Sequence, residues 1–288
     1  MILVVHNAKS GQQSSLPAIK QAMQAHGLQA EYIAISTGGL RRKVMDFTKH
    51  KDAIVVAAGG DGTVGAVAEM IQGTQTKLGI LPAGTLNHFA RELNVPLDIA
   101  EAAATLKTGR TESVDVASVN DHVFINNSSI GWYPRSLHAR DELEGKIGKW
   151  PAALAGSLRA AARPRRYHVE LVVDGRTHTY RTPFVFIGNN AYKRDPTGLG
   201  QRKSLQEGQL AIYVVKAQSA LGILRMLGHA VLTRKVRSQD FAIHTATECT
   251  IHTKRHRQLS VATDGEVMRL NTPLLYRTHA KALRVIVP

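Results

Sequence analysis

The sequence has a single cysteine, Cys249, and few aromatic residues, which make up 5% of its 288 residues. One cysteine excludes an intramolecular disulfide framework and is typical of a reducing compartment, so we expect a cytoplasmic protein. The scarce aromatic residues give little support to stacking on nucleic acid bases. We therefore expect no specific nucleic acid partner.

Long hydrophobic runs are also missing. Charged residues interrupt every candidate before it reaches the roughly 20 apolar residues that a membrane-spanning helix needs. The apolar run at residues 1–7 has no basic segment before it and no cleavage pattern after it, so we interpret it as a strand and not as a signal peptide. Any membrane contact is therefore expected to be peripheral, at the inner membrane face.

Acidic residues are few: 22 Asp and Glu stand against 37 Lys and Arg, which gives a formal charge of +15. This excess favours an anionic partner, but net charge does not choose among nucleotides, nucleic acids and anionic lipids. Hydrophobic residues at 43% and charged residues at 20% are ordinary for a globular protein. The length predicts two domains.

The two halves of the chain have different hydrophobic patterns. Up to about residue 110, strands at 2–6, 30–35, 53–58 and 78–81 alternate with helical periodicity, which predicts an open, mostly parallel, doubly wound α/β sheet. From about residue 112, β-branched alternating segments predict an antiparallel β domain with helices near 136–162 and 219–233. Its predicted strands are 114–119, 169–173, 184–188, 210–215, 241–253, 259–263 and 283–287. Asp174-Gly175 predicts a hairpin turn.

A glycine-rich loop, residues 59–63, lies between the strand at 54–58 and a helix. Glycine lets a phosphate approach the backbone, and the start of a helix offers free N–H groups. Taken alone, the loop is equally well explained as a tight structural turn. Polar loops at 7–11 and 82–91 follow two other strands, and in an open α/β sheet ligands bind at the carboxyl ends of the strands. The three loops together favour a phosphate-binding site.

The sequence does not support either of two familiar nucleotide-binding motifs. Gly60, Gly62 and Gly65 satisfy the spacing of the dinucleotide-binding fingerprint, but residues 79–84 hold no acidic residue for a ribose, and the loop follows the third strand instead of the first. No Walker-type sequence is present either.

Three motifs carry a resemblance to a known family. They are Asn7-x-x-Ser10-Gly11, Gly59-Gly60-Asp61-Gly62-Thr63 and Pro82-x-Gly84-Thr85-x-Asn87-x-Phe89-Ala90-Arg91. Four later segments follow in the same order: 124–127, 207–210, 263–266 and 272–274. The chain resembles, over its whole length, the diacylglycerol kinase catalytic domain superfamily, which includes sphingosine and ceramide kinases and soluble bacterial lipid kinases.

The resemblance implies an ATP- and magnesium-dependent lipid kinase that phosphorylates a diacylglycerol-, ceramide- or sphingoid-like hydroxyl at a membrane surface. It implies a nucleotide-binding α/β domain at 1–116, to which a final strand at 278–288 returns. It also implies a lipid-binding β-sandwich at 117–277. The sequence does not specify the oligomeric state, so a homodimer stays open.

The resemblance also assigns site residues. For the nucleotide it implies Asn7, Ser10, Gly11, Ser36, Gly59, Gly60, Asp61, Gly62, Thr63, Val64, Gly65, Gly84, Thr85 and Asn87. Glu266 takes the position of the general base in a cleft between the domains, with Asp264 beside it, although Asp264-Gly265 is equally a hairpin signal. The implied metal ligands are Asp61 and Asp115 at the reaction centre, and Ser204, Glu207 and Gln209 at a structural magnesium site.

The sequence departs from the family pattern at two positions. His88 replaces an aspartate that is common in bacterial members, and Ala8 replaces a proline. Two alternatives therefore stay open: an NAD kinase, which shares the glycine loop but phosphorylates a soluble dinucleotide, and a nucleotide- or lipid-binding module without turnover. The 82–91 stretch and Asp264-Gly265-Glu266 favour a lipid over NAD.

Overall fold

The computed structural model describes residues 1–7, 15–131, 166–193, 201–217, 219–233, 238–254 and 256–288. The chain forms two compact units. Unit 1 comprises Met1–Val116 and His279–Pro288, and unit 2 comprises Ala117–Thr278.

The described secondary structure follows the order expected from the hydrophobic pattern. The strands are β1 (Ile2–His6), β2 (Glu31–Ala34), β3 (Ile54–Gly59), β4 (Lys77–Pro82), β5 (Arg110–Val119), β6 (His122–Phe124), β7 (Asn127–Gly131), β8 (Tyr167–Val173), β9 (Arg176–Thr182), β10 (Phe184–Asn189), β11 (Leu210–Val215), β12 (Phe241–Ala246), β13 (Glu248–Thr253), β14 (Gln258–Thr263), β15 (Glu266–Asn271) and β16 (Leu274–Val287). The helices are α1 (Leu16–Ala25), α2 (Leu40–Phe47), α3 (Asp61–Ile71), α4 (His88–Glu92), α5 (Ile99–Thr108) and α6 (Ala220–Thr233).

Unit 1 is an α/β domain with a parallel sheet in the order β2-β1-β3-β4-β16. The middle strand β3 is buried from Val55 to Ala58, as expected for a parallel strand covered on both faces. Helix α3 packs on it through Val64, Val67 and Ile71. This arrangement confirms the predicted α/β class of the N-terminal half.

Unit 2 is an antiparallel β-sandwich, as the resemblance implied. One sheet has the order β12-β11-β10-β7-β14-β15, and the other contains β13, β8 and β9 together with the first part of β16. Both sheets contribute to one core, which includes Ile212 and Val261 from the first and Leu171, Ile251 and Tyr276 from the second. All five side chains are fully buried.

One predicted strand is wrong. Residues 241–253 form two strands in different sheets, because β12 pairs with β11 whereas β13 pairs with β8. The chain changes sheet at Thr247, which is the kind of corner that sandwiches make. No glycine or proline marks this corner. At the corner two adjacent polar residues, Thr247 and Glu248, are both exposed, and this breaks the alternation expected of a single strand.

Three other expectations can be compared with the structure. Asp174-Gly175 forms the predicted two-residue hairpin between β8 and β9, and both residues have positive φ (48° and 73°). The last strand is longer than predicted, with Lys281 at a positive φ of 53° within it. The predicted helix near 219–233 is α6, whereas the helix predicted near 136–162 lies outside the described residues.

Within the part of the chain that the structure describes, no helix combines the length and the apolar character needed to cross a membrane.

Candidate functional site

The first glycine loop joins β3 to α3 through a tight contact. Gly60 precedes the helix in an extended conformation, and its carbonyl oxygen accepts hydrogen bonds from the N–H groups of Thr63 (2.9 Å) and Val64 (3.1 Å). A Cβ on Gly59 would lie 2.6 Å from Cβ of Thr63, so the first turn packs directly on the strand end. Thr63 and Val64 are each 3% exposed. Their side chains are therefore too buried to contact a phosphate. Thr63 and Val64 contribute by stabilising the backbone turn.

The second glycine loop touches the first. A Cβ on Gly60 would lie 3.1 Å from Cα of Gly84, and a Cβ on Gly84 would overlap the backbone of Gly60. Asn87 holds the second loop together: its Oδ1 accepts from the Gly84 N–H (3.0 Å) and its Nδ2 donates to the Gly84 carbonyl oxygen (2.9 Å). Asn87 itself has a positive φ of 50°, which asparagine tolerates better than most residues. At Gly60 and Gly84 the two loops thus have backbone without Cβ atoms, to which a phosphate can come close.

Asp61 fixes the second loop relative to the first. Its Oδ2 accepts a hydrogen bond from the backbone N–H of His88 (3.1 Å), and its Oδ1 accepts one from Phe89 (3.0 Å). These are first-turn N–H groups of α4, so the Asp61 carboxylate caps a helix that begins 27 residues later in the chain. The structure therefore uses the backbone of His88 at this position, while its side chain is exposed.

The remaining predicted nucleotide residues lie at the ends of β1 and β2. Asn7 follows β1, and its N–H donates to the Ala58 carbonyl oxygen of β3 (3.1 Å). Ser36 is exposed in the turn after β2, where Ile35 N–H donates to the His6 carbonyl oxygen (2.8 Å). In the parallel register His6 lies between Ala34 and Ala58. These loops therefore leave the same edge of the sheet, whereas Ser10, Gly11 and Ala8 lie outside the described residues.

The predicted magnesium ligands of unit 1 already have protein partners. Asp115 is 1% exposed, and its Oδ1 accepts from the backbone N–H of Lys281 (2.7 Å), the residue with positive φ in β16. Asp61 uses one acceptor position on each oxygen for α4, which leaves further lone pairs on a hard oxygen ligand of the type that Mg²⁺ prefers. Among the described residues, no group of three or more His, Cys, Asp or Glu side chains is arranged to hold a metal ion. Asp61 thus fits a magnesium ion as a single oxygen ligand.

The predicted structural magnesium loop lies before β11 in unit 2. Ser204 Oγ accepts from the Gln206 N–H (3.1 Å), and the Gln209 N–H donates to Asn190 Oδ1 (3.3 Å). Glu207 is exposed, and Gly208 has a positive φ of 64°. The loop is therefore held by one hydrogen bond within it and by bonds to Asn190, which follows β10, and the carboxylate of Glu207 is open to solvent.

The hairpin between β14 and β15 carries the predicted base. Asp264 and Gly265 form its two-residue turn with positive φ values of 48° and 90°, and Thr263 pairs with Glu266. Glu266 is exposed at the first position of β15. An exposed carboxylate on a rigid hairpin is available to accept a proton.

The Asp264 carboxylate anchors this hairpin to a neighbouring segment. Oδ2 accepts from the N–H of Ile125 (2.7 Å), and Oδ1 accepts from the N–H groups of Asn126 (2.8 Å) and Asn127 (3.1 Å). Burial raises the pKa of Asp264 to about 6, while the three backbone hydrogen bonds and the charge of Arg202 act in the opposite direction. Asp174, in the equivalent turn between β8 and β9, is exposed. Only one of the two Asp-Gly turns is therefore tied to the interior.

Arg202 belongs to the same region and was not predicted from the sequence. It is 5% exposed and donates to the carbonyl oxygens of Ile125 (2.6 Å) and Asn189 (3.2 Å) and to Asn126 Oδ1 (3.1 Å). Asn189 also donates from Nδ2 to the Ile125 carbonyl oxygen (2.9 Å). The signal that points to this network is the pair of Asn-Asn dipeptides at 126–127 and 189–190, because buried asparagines need several hydrogen-bond partners.

Comparison with known protein families gives two matches that follow one another along the chain. Residues 1–119 match the diacylglycerol kinase catalytic domain, and residues 146–287 match the YegS C-terminal NAD kinase beta sandwich-like domain. The boundary between the matches lies near the point where unit 1 gives way to unit 2.

Two curated relatives match part of the chain. The chain is 32% identical over 168 residues to the "Probable lipid kinase YegS-like" of Yersinia pestis (strain Pestoides F), covering 56% of each chain. It is 29% identical over 246 residues to "Uncharacterized protein sll0036" of Synechocystis sp., covering 82% of this chain and 55% of that protein. The matches thus span just over half the length of these curated relatives.

A solved structure matches the whole chain. The crystal structure of a diacylglycerol kinase from Bacillus anthracis str. Sterne has a TM-score of 0.75 and 26% sequence identity, with 100% of this chain and 96% of that chain covered.

Proposed function

Because the chain belongs to the diacylglycerol kinase catalytic domain superfamily, we propose that it transfers the γ-phosphate of ATP to a lipid hydroxyl. The observation that carries this proposal is the contact between Gly60 and Gly84, which removes side chains from a backbone surface at the carboxyl ends of the strands. Phosphoryl transfer depends on positioning and charge neutralisation, and such a surface can position phosphates.

In this proposal the two glycine loops bind the phosphates through backbone N–H groups. Residues 59–65 form the first loop, and Gly84, Thr85 and Asn87 form the second. Asn7, Ser10, Gly11 and Ser36 would contact the rest of the nucleotide from the neighbouring strand ends. Asp61 keeps the two loops in register through its bonds to α4.

Magnesium fits the proposal through oxygen ligands. Asp61, with Asp115 as the second candidate, would hold the ion, which supplies neutralisation of the phosphate charge. Ser204, Glu207 and Gln209 remain candidates for a separate structural ion, supported by the exposed carboxylate of Glu207.

Glu266 is proposed to accept the proton of the lipid hydroxyl. Its support is an exposed carboxylate fixed by a two-residue turn. Asp264 is given the role of holding that turn, because its own carboxylate is buried and accepts three backbone hydrogen bonds.

The lipid acceptor is proposed to be a diacylglycerol-, ceramide- or sphingoid-like molecule at a membrane surface, with attraction to anionic lipids supported by the net charge of +15. The test is transfer of phosphate from radiolabelled ATP to diacylglycerol, monoacylglycerol, ceramide and a sphingoid base in mixed micelles, with NAD in parallel. Labelling of a lipid that requires Mg²⁺ supports the proposal. Labelling of NAD alone would favour the dinucleotide kinase, and no labelling of any acceptor would favour a binding module.

A further inference from the structure

Arg202 is a buried arginine in the loop that precedes β11. Only 5% of it is exposed, and a buried guanidinium is costly unless it has hydrogen bonds and a compensating charge. Its hydrogen bonds go to oxygens of Ile125, Asn126 and Asn189. The buried carboxylate on which its charge acts is Asp264.

Arg202 and Asp264 both form hydrogen bonds with Ile125 and Asn126, Arg202 as the donor and Asp264 as the acceptor. The N–H of Ile125 donates to the Asp264 carboxylate while its carbonyl oxygen accepts from Arg202. The N–H of Asn126 likewise donates to Asp264 while its side-chain oxygen accepts from Arg202. In a region of low dielectric, hydrogen bonds linked in this way strengthen one another.

We propose that Arg202 is a positioning residue that keeps Asp264 ionised and so fixes the hairpin that carries Glu266. This inference rests on the proposed role of Glu266 in phosphate transfer. It extends that role by making the geometry of the base depend on Arg202 and Asp264, two residues of opposite charge that share hydrogen-bond partners at Ile125 and Asn126.

The ionisation state matters because all three groups around the Asp264 carboxylate are N–H donors. A protonated carboxyl group has lost its negative charge and has an O–H in place of one acceptor position, so it holds these three N–H donors less strongly than the carboxylate does. Burial raises the pKa of Asp264 to about 6, and the positive charge of Arg202 opposes this rise. Without Arg202, more of the protein would carry a protonated Asp264 near neutral pH.

Activity and stability should then respond to pH in opposite directions. The pKa of Asp264 in the folded protein is raised above its ordinary value of 3.8, so its contribution to stability is present below about pH 4 and is lost as the pH rises through about 6. Ionised Asp264 therefore orders the hairpin while lowering the global stability. The other titratable groups of the surrounding elements are Tyr192, whose hydroxyl donates to the Asn126 carbonyl oxygen (3.3 Å), the exposed Lys203, and Glu266 on the same hairpin.

The test follows the Asp264 carboxyl carbon by NMR in the full chain labelled with ¹³C-aspartate. Its resonance is assigned by its loss in Asp264→Asn. Arg202→Met should raise the titration midpoint of Asp264, as expected for removal of an opposite charge. Arg202→Lys should restore most of the shift. Arg176→Met removes the same charge from an exposed position of β9 and should leave the midpoint unchanged.

The kinetic measurement is the pH profile of kcat/KM with the best lipid acceptor. The acid limb should follow the Asp264 midpoint in the wild-type protein, move upward with it in Arg202→Met, and return in Arg202→Lys, while KM for ATP stays constant. An unchanged Asp264 midpoint in folded Arg202→Met overturns the inference, and so does an acid limb that stays in place when the midpoint moves.

The inference can still be tested if Arg202→Met does not fold or if the wild-type protein phosphorylates no acceptor. If Arg202→Met does not fold, the inference is tested by the wild-type protein and Arg202→Lys. In either protein, an acid limb of kcat/KM that does not coincide with the Asp264 midpoint overturns it. If no acceptor is phosphorylated by the wild-type protein, the proposed function fails. The NMR titration, together with the hydrogen exchange rate of the Glu266 amide on both sides of the midpoint, then tests the effect of Arg202 on the hairpin by itself.

Discussion

Gly60 and Gly84, which lie in different loops of unit 1, are in backbone contact, and a Cβ on either one would press against the other. The contact requires the absence of a side chain at both positions. It joins the two loops that we propose as the phosphate-binding surface.

Gly84→Ala should separate these loops. Its Cβ would overlap the Gly60 backbone and lie 2.8 Å from Asn87 Oδ1, so we expect a loss of about 1–3 kcal/mol in the free energy of unfolding, as for other overpacked sites. ATP binding, measured by calorimetry, should fall at least tenfold. Gly38→Ala is the control, because a Cβ there meets no atom within 4 Å. Equal stability and affinity in the two variants would contradict the proposed surface.

Asp61→Ala should uncouple α4 from the first glycine loop. The variant loses two hydrogen bonds from a carboxylate to backbone N–H groups, which we expect to lower the free energy of unfolding by about 1–3 kcal/mol and to abolish measurable binding of MgATP.

Asp98→Ala is the matched control for Asp61→Ala. Asp98 caps α5 by accepting from the N–H groups of Ala100 (2.9 Å) and Glu101 (3.0 Å), and its loss should lower stability by about 1 kcal/mol without changing nucleotide affinity. If both variants reduce affinity in proportion to stability, Asp61 has no role specific to the site.

Glu266→Gln should lower kcat by more than about 100-fold, within the range for loss of a general base, with little change in KM for ATP. Because Glu266 is exposed, the unfolding midpoint should stay the same. Glu248→Gln provides the comparison, since Glu248 is also exposed at the first position of a strand, β13. Retained turnover in Glu266→Gln would exclude the residue as the base.

The stability of unit 2 should depend on His244 below neutral pH. Burial, and then the charge of His178, lower the pKa of His244 from its ordinary value of 6.5, and its ring accepts or donates a hydrogen bond with the Tyr180 hydroxyl (2.7 Å). A lowered pKa in the folded state means that stability is present above about pH 6.5 and is lost as the pH falls through the folded value. The urea midpoint should therefore fall less steeply between pH 7 and pH 5 in His244→Gln than in the wild-type protein. His168→Gln changes an exposed histidine of β8 and should keep the wild-type slope.

The glycine loops could be predicted from the sequence because their cause is local. A buried β-branched strand that ends in Gly59-Gly60 leaves few conformations other than a tight turn into a helix, and the same holds for the strand that ends before Gly84. The bonds of Asp61 were not predicted, because its partners begin 27 residues later and nothing around Asp61 specifies them.

The two Asp-Gly turns differ in a way that the neighbouring sequence does not predict. Asp174 and Asp264 have the same following residue and the same φ of 48°, yet only the carboxylate of Asp264 accepts hydrogen bonds from residues 125–127. That difference arises from strand order in the sandwich, where β14 pairs with β7. Arg202 was missed for the same reason, since an arginine in a polar loop predicts exposure unless its buried acceptors are known.

Strand β16 has a consequence for synthesis of the protein. Its last residues pair with β4, and Arg284 donates to Gln75, 209 positions earlier in the chain. While the ribosome is still making the sandwich, the nascent α/β unit has a completed β4 whose outer edge lacks its partner, and open edges of this kind invite pairing with other chains. The emerging polypeptide thus closes the sheet of unit 1 last, after the described strands β6 to β15 of unit 2 have been made.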